Sequence, residues 1–150
     1  MIVVRLMGGL GNQLFQYAAG RHLAHLNNAP LFVDTTFLQS TIENTTPRNY
    51  ELGAFNVKSN IADEKLLQSF HGCEFSAKER ILTKIISLGK NNKYKFDEYG
   101  FDAHLLELKG NYYLRGFFQS EKYFKNIKEL IREELKIKEE FVPKDDTLIN

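Results

Sequence analysis

The chain has 150 residues, of which 43% are hydrophobic and 13% aromatic, and its 20 basic and 19 acidic side chains leave a net charge of +1. That is enough apolar material for one folded domain, or one lobe of a larger protein, and it leaves no basic footprint for nucleic acid. The lone Cys73 excludes an internal disulfide and fits a reducing compartment, and no apolar run approaches the roughly 18 residues that span a bilayer.

The first residues, Met-Ile-Val-Val-Arg-Leu, lack the basic flank and long apolar run of a signal peptide, so a cytoplasmic location is expected. Ile2 to Leu6 reads as a buried strand, and Asn12 to Leu26 as a helix with Phe15, Ala19, His22/Leu23 and Leu26 as its apolar stripe. On the other side Asn12, Gln16 and Gly20 share a face. After a turn at Asn27-Asn28-Ala29-Pro30, Leu31 to Asp34 is a second strand. Strand, helix, strand predicts a right-handed parallel crossover and an α/β fold.

Gln39 to Asn49 is polar and predicts an exposed loop, and Tyr50 to Phe55 a brief extended piece. Asp63 is placed to cap a short helix through Phe70, with Leu66, Leu67 and Phe70 on its apolar face. A further helix is predicted from Ala77 to Leu88, then a basic turn from Lys90 to Lys95 and an extended piece from Phe96 to Gly100. The aromatic-rich Asn111 to Phe118 predicts a central strand. Ser120 is placed to cap a helix with the stripe Phe124, Ile127, Leu130/Ile131 and Leu135. There is no internal repeat or low-complexity tract.

Between the first strand and helix stands Gly8-Gly9-Leu10-Gly11-Asn12-Gln13. Glycines admit a left-handed backbone and bare approach of the main chain, and a helix start offers unpaired N–H groups with a partial positive charge. An anion, most often a phosphate, suits such a turn. Asn12, Gln13 and Gln16 add amide groups for a polar guest. Gly9-x-Gly11, with Asp34 ending the next strand, also imitates the dinucleotide fingerprint. The third glycine of that fingerprint would stand where Leu14 is, so the match is poor. An NAD-binding domain and a non-catalytic interaction domain remain the alternatives.

The other reactive side chains read as structural. His22 lies on the apolar stripe as a core residue, His25 is three places on, and His71 and His104 fall in turn-like contexts that predict exposure. Lys90, Lys93 and Lys95 read as a solvated loop, Cys73 has no activating neighbour, and no His, Asp or Glu cluster has metal-ligand spacing. Gln119 and Tyr123, at a strand-to-helix junction, are candidates to face a cleft.

Three stretches together resemble the alpha-1,2-fucosyltransferases, inverting enzymes that use GDP-fucose. They are Leu6 to Ala18 (Leu-Met-Gly-Gly-Leu-Gly-Asn-Gln-Leu-Phe-Gln-Tyr-Ala), Tyr50-Glu51-Leu52, and Gly116 to Phe124 (Gly-Phe-Phe-Gln-Ser-Glu-Lys-Tyr-Phe). The family's His-x-Arg-Arg-x-Asp signature, which serves the GDP-fucose site, has no counterpart: no two of the six arginines are adjacent. The resemblance therefore implies an α/β, parallel-sheet, Rossmann-like lobe, the N-terminal acceptor-side part of a GT-B-like glycosyltransferase. Residues 1–142 would form that domain, and 143–150 would start a linker toward a donor lobe.

The implied reaction moves L-fucose from GDP-fucose to the 2-hydroxyl of a galactose-containing acceptor, without a metal or further cofactor. The implied catalytic residue is Asn12. Gly9, Leu10, Gly11, Asn12, Gln13, Gln16 and Gln119 would bind donor or acceptor. Because such enzymes build surface glycans, a peripheral position at the inner face of the membrane is also implied.

Overall fold

In the computed structural model, which describes residues 1–40, 46–70, 91–96 and 100–142, the chain builds a five-stranded parallel sheet. The strands are β1 (Ile2–Arg5), β2 (Leu31–Asp34), β3 (Asn60–Ile61), β4 (Asn91–Phe96) and β5 (Asn111–Gly116), in the order β3-β2-β1-β5-β4. β1 lies in the middle because Ile2, Val3 and Val4 are apolar on both faces and none is exposed. The arrangement is α/β and Rossmann-like, as the sequence predicts.

The two faces of the sheet are covered differently. Helix α1 (Leu10–Leu26) packs on the face of Ile2, Val4, Leu31, Val33, Tyr112 and Leu114, which forms the main core. Helix α2 (Glu64–Ser69) covers the other face, where Val3, Ala62 and Phe70 form a smaller cluster. Asp63 caps α2 as expected, accepting a 2.7 Å hydrogen bond from the Leu66 amide. The predicted helix from Ala77 to Leu88 lies outside the described residues, as do His71, Cys73, Lys90 and 143–150.

Four expectations need correction. The predicted stripe of α1 is buried at Ala19, His22 and Leu23, but Gln13, Gln16, Tyr17 and Gly20 are buried as well, so the face of Gln16 and Gly20 also points inward, while Leu26 is 41% exposed. Gly20 is the reason: a Cβ there would stand 2.2 Å from Val4 Cγ2, so its absence lets the helix lie against β1. Tyr50 to Phe55 is not extended but holds a 3-10 turn at Leu52–Ala54, anchored by the fully buried Leu52. Asn91 to Lys95 is not a turn but most of β4, an edge strand whose Tyr94 points into the core while Lys95 is exposed. Lysine on an edge strand is a common guard against unwanted pairing.

The fourth correction concerns residues 120–135. The apolar stripe is right, since Ile127 and Ile131 are buried, but the helix is broken. Two 3-10 turns (Glu121–Tyr123 and Lys125–Ile127) precede a short helix α3 (Lys128–Glu134). His22 Nδ1–H donates to the Tyr123 carbonyl at 2.6 Å, taking the acceptor that an α-helix would offer to Ile127; the Ile127 amide turns to Phe124 instead, at 3.0 Å. Tyr123 itself is fully buried, with edge-on contacts to Phe101 and Phe118.

Candidate active site

The chain leaves β1 and enters α1 through Gly8, whose φ of 77° lies in the left-handed region. Gly8 has a second constraint: a Cβ would stand 2.3 Å from Asn12 Nδ2, because the Asn12 side chain folds back over the turn. Gly9 is the N-cap and no side chain caps the helix. The first intrahelical bond runs from the Gln13 amide to Gly9 O at 3.1 Å, so the amides of Leu10, Gly11 and Asn12 precede the helical ladder. Gly11 is exposed and Asn12 half-buried.

The two glutamines behave otherwise than expected. Both are wholly buried. Gln13 Nε2 donates to Gly8 O (3.1 Å) and Asn49 O (2.8 Å), and its Oε1 accepts from the Glu51 amide (3.0 Å). Gln16 Oε1 accepts from the Met7 amide at 2.9 Å. These amides grip the glycine turn from inside and tie it to the segment of Tyr50-Glu51-Leu52; they do not face a groove. Burial without such partners costs about 1–3 kcal/mol per polar group; Gln13 meets this with main-chain bonds from both ends of its amide, whereas Gln16 Nε2 is buried with no hydrogen-bond partner among the described residues.

Asn12 does find a companion. Gln119 Nε2 donates to Asn12 Oδ1 at 2.7 Å, joining residues 107 apart in sequence. With its oxygen so held, the Asn12 Nδ2 is left with no hydrogen bond among the described residues. Gln119 is exposed and follows a strained turn: Phe118, buried, has a φ of 53°. Non-glycine residues in this region are uncommon and cluster at functional sites.

The turn after β1 and the turn after β5 lie side by side where the strand order reverses. In open α/β sheets that crevice, at the carboxyl ends of the strands, is where ligands bind. A cleft of about 240 Å³ opens there, lined by Met7, Gly8, Phe37, Arg48 and Phe117 among others. Phe117 is 47% exposed, an aromatic face open at the cleft. The sequence reading missed Phe117 and Arg48. The alternation of β5 carries a signal for the first, since Phe118 turns inward and leaves Phe117 outside; Arg48, in a polar loop, carries none.

The remaining candidates are accounted for by packing. His22 is 2% exposed, and burial lowers its pKa below 6.5, with the hydrogen bond to Tyr123 O acting against that. It is a neutral core residue. His104 is half-buried, not exposed, with its ring near Tyr94. Tyr123 is interior, where its hydroxyl accepts from the Asp102 amide at 2.8 Å. Burial pushes the Tyr17 hydroxyl pKa upward, and its bond to Glu134 adds to this; Arg21 holds the same carboxylate at 3.0 Å. Asp34 is 3% exposed and its carboxylate accepts from Thr36 and Tyr113, so it offers little to a ribose. That weighs against the dinucleotide alternative.

Among the described residues no three His, Cys, Asp or Glu side chains are grouped to hold a metal ion, and no helix is long and apolar enough to cross a membrane. No family model matches the chain, and no solved structure matches it. It is 32% identical to the alpha-1,2-colitosyltransferase of Escherichia coli over 137 residues, 89% of this chain. The chain spans 44% of that relative's length, and the likeness is to part of a glycosyltransferase.

Proposed function

We propose that the chain is the acceptor-side lobe of an inverting, GT-B-like glycosyltransferase that moves L-fucose from GDP-fucose to the 2-hydroxyl of a galactoside. The observation that carries this reading is the Asn12–Gln119 contact at 2.7 Å: two of the three stretches that resemble fucosyltransferases meet at the sheet's switch point. Glycosyl transfer passes through an oxocarbenium-like state while the departing diphosphate gathers negative charge. Donors already in place where that charge develops supply the largest stabilisation.

In this reading Asn12 Nδ2 and the amides of Leu10 and Gly11 are those donors. Gln119 is a positioning residue that fixes which end of the Asn12 amide faces the ligand. Gln13 and Gln16 are positioning residues for the glycine turn, and Gly9 gives the main chain its close approach. Phe117 and Arg48 line the sugar's path. The proton acceptor for the 2-hydroxyl would come from outside the described residues.

The relative's name favours a second reading, transfer of colitose. Colitose is L-fucose without its 3-hydroxyl, so the two differ at one oxygen, and a site built to bond that hydroxyl would discriminate sharply. The test is an assay of the full-length protein with GDP-fucose and GDP-colitose on a galactoside, with the linkage read by NMR. An α-1,2-linked product is expected, from the fucosyl donor on the first reading and from the colitosyl donor on the second. Asn12→Ala is expected to lower kcat about tenfold or more with a smaller change in KM. Transfer from neither donor would end the reading; an unchanged kcat would remove Asn12 from the site.

A further inference from the structure

The face of the sheet turned away from α1 has its own cavity, about 360 Å³, at the same carboxyl edge. Arg5, Arg115 and Lys93 reach it, with Leu67 and Phe70 of the α2 region as an apolar wall. The parallel register pairs Val4 with Leu114, so Arg5 and Arg115 follow on neighbouring strands and share the face of Val3 and Tyr113. Like charges so placed repel. Among the described residues neither arginine makes a close ion pair there, and the negative charge beside them is Asp34, opposite Arg5 in the β1–β2 register.

Asp34 is the carboxylate that lines the cavity, and it is already engaged. Its Oδ1 accepts from the Thr36 amide (2.9 Å) and hydroxyl (2.7 Å), and its Oδ2 accepts from Tyr113 Oη–H (2.6 Å). The Arg5 guanidinium lies 4.1 Å from the centre of the Phe37 ring, and its Nε is buried with no hydrogen-bond partner. A buried, unsatisfied charged donor is costly to leave so. Two guanidiniums on adjacent strands, one with a buried and unpartnered Nε–H, match an oxyanion, which accepts from such forks bidentately.

We propose that this cavity is an oxyanion site, taking a phosphate or carboxylate group borne by a small, sugar-sized ligand, with Arg5 and Arg115 as its partners. It lies on the α2 side of the sheet and meets the cleft of Met7, Gly8 and Phe117 at Phe37, which lines that cleft and stacks on Arg5; the proposal does not depend on the sugar-transfer reading.

The experiment is isothermal titration of the 150-residue chain with glucose 1-phosphate and with glucuronate, against glucose and sodium chloride at matched ionic strength. Saturable binding of at least one anion is expected, absent with glucose and with chloride. The responding arm identifies the group as phosphate or carboxylate. Arg115→Gln and Arg5→Gln are each expected to weaken binding at least tenfold, while Arg132→Gln, at an exposed position of α3, leaves it unchanged. Thermal unfolding without ligand checks that the variants fold. No anion binding beyond chloride, or equal binding by folded Arg115→Gln and Arg5→Gln, would overturn the proposal.

Discussion

Gly8 concentrates two requirements in one residue: a left-handed backbone, and bare space for the Asn12 amide. Gly8→Ala should therefore cost about 1–2 kcal/mol from the backbone alone, read by denaturant unfolding. In a full-length enzyme it should also reduce kcat, because the new methyl displaces Asn12. For stability, Gly9→Ala is the control, since a Cβ there meets nothing within 4 Å and its φ of −77° is ordinary. The glycine turn was legible because only glycine suits such a bend. The fate of the glutamines was not. Helical spacing says which residues share a face, and Asn12 with Gln16 do; it does not say how far along the axis that face goes under the sheet. Arg5 and Arg115 were likewise invisible as a pair, since their proximity depends on β5 entering beside β1.

Among the elements, α1 shows how tertiary contacts outweigh pattern. Its length was readable within two residues, yet its inner face carries two glutamines and a glycine because main-chain groups of neighbouring segments need amide partners there. The same helix breaks its neighbour, through His22 and the Tyr123 carbonyl. That bond has a pH signature. The folded His22 pKa lies below 6.5, so in the window beneath 6.5 the unfolded chain binds the proton more readily. Stability from this residue is complete above 6.5 and declines as pH falls toward the lowered value. The melting temperature should drop on acidification through that window, and His22→Gln, which keeps a donor but does not titrate, should flatten the drop.

At the scale of the molecule, the strand order places the turn after β1 beside the turn after β5, and the cleft follows from that order. The parallel α/β class was legible from strand-helix-strand alternation; the order was not, since β4 has the lysines and asparagines of a loop. The relative is more than twice as long as the matched region, so the isolated 150-residue chain is expected to turn over no GDP-fucose. A coupled assay for released GDP, compared with a protein-free blank, checks this.

The junction of β1 with β5 also fixes a sequence of events during synthesis. β2 reaches one side of β1 early, but the partner for its other side begins only at Asn111. Until then Ile2-Val3-Val4 presents an unpaired apolar ribbon of the kind that seeds association between chains. A nascent chain stalled short of β5 would leave that ribbon uncovered on one side, and the Asn12–Gln119 contact cannot close before β5 is made.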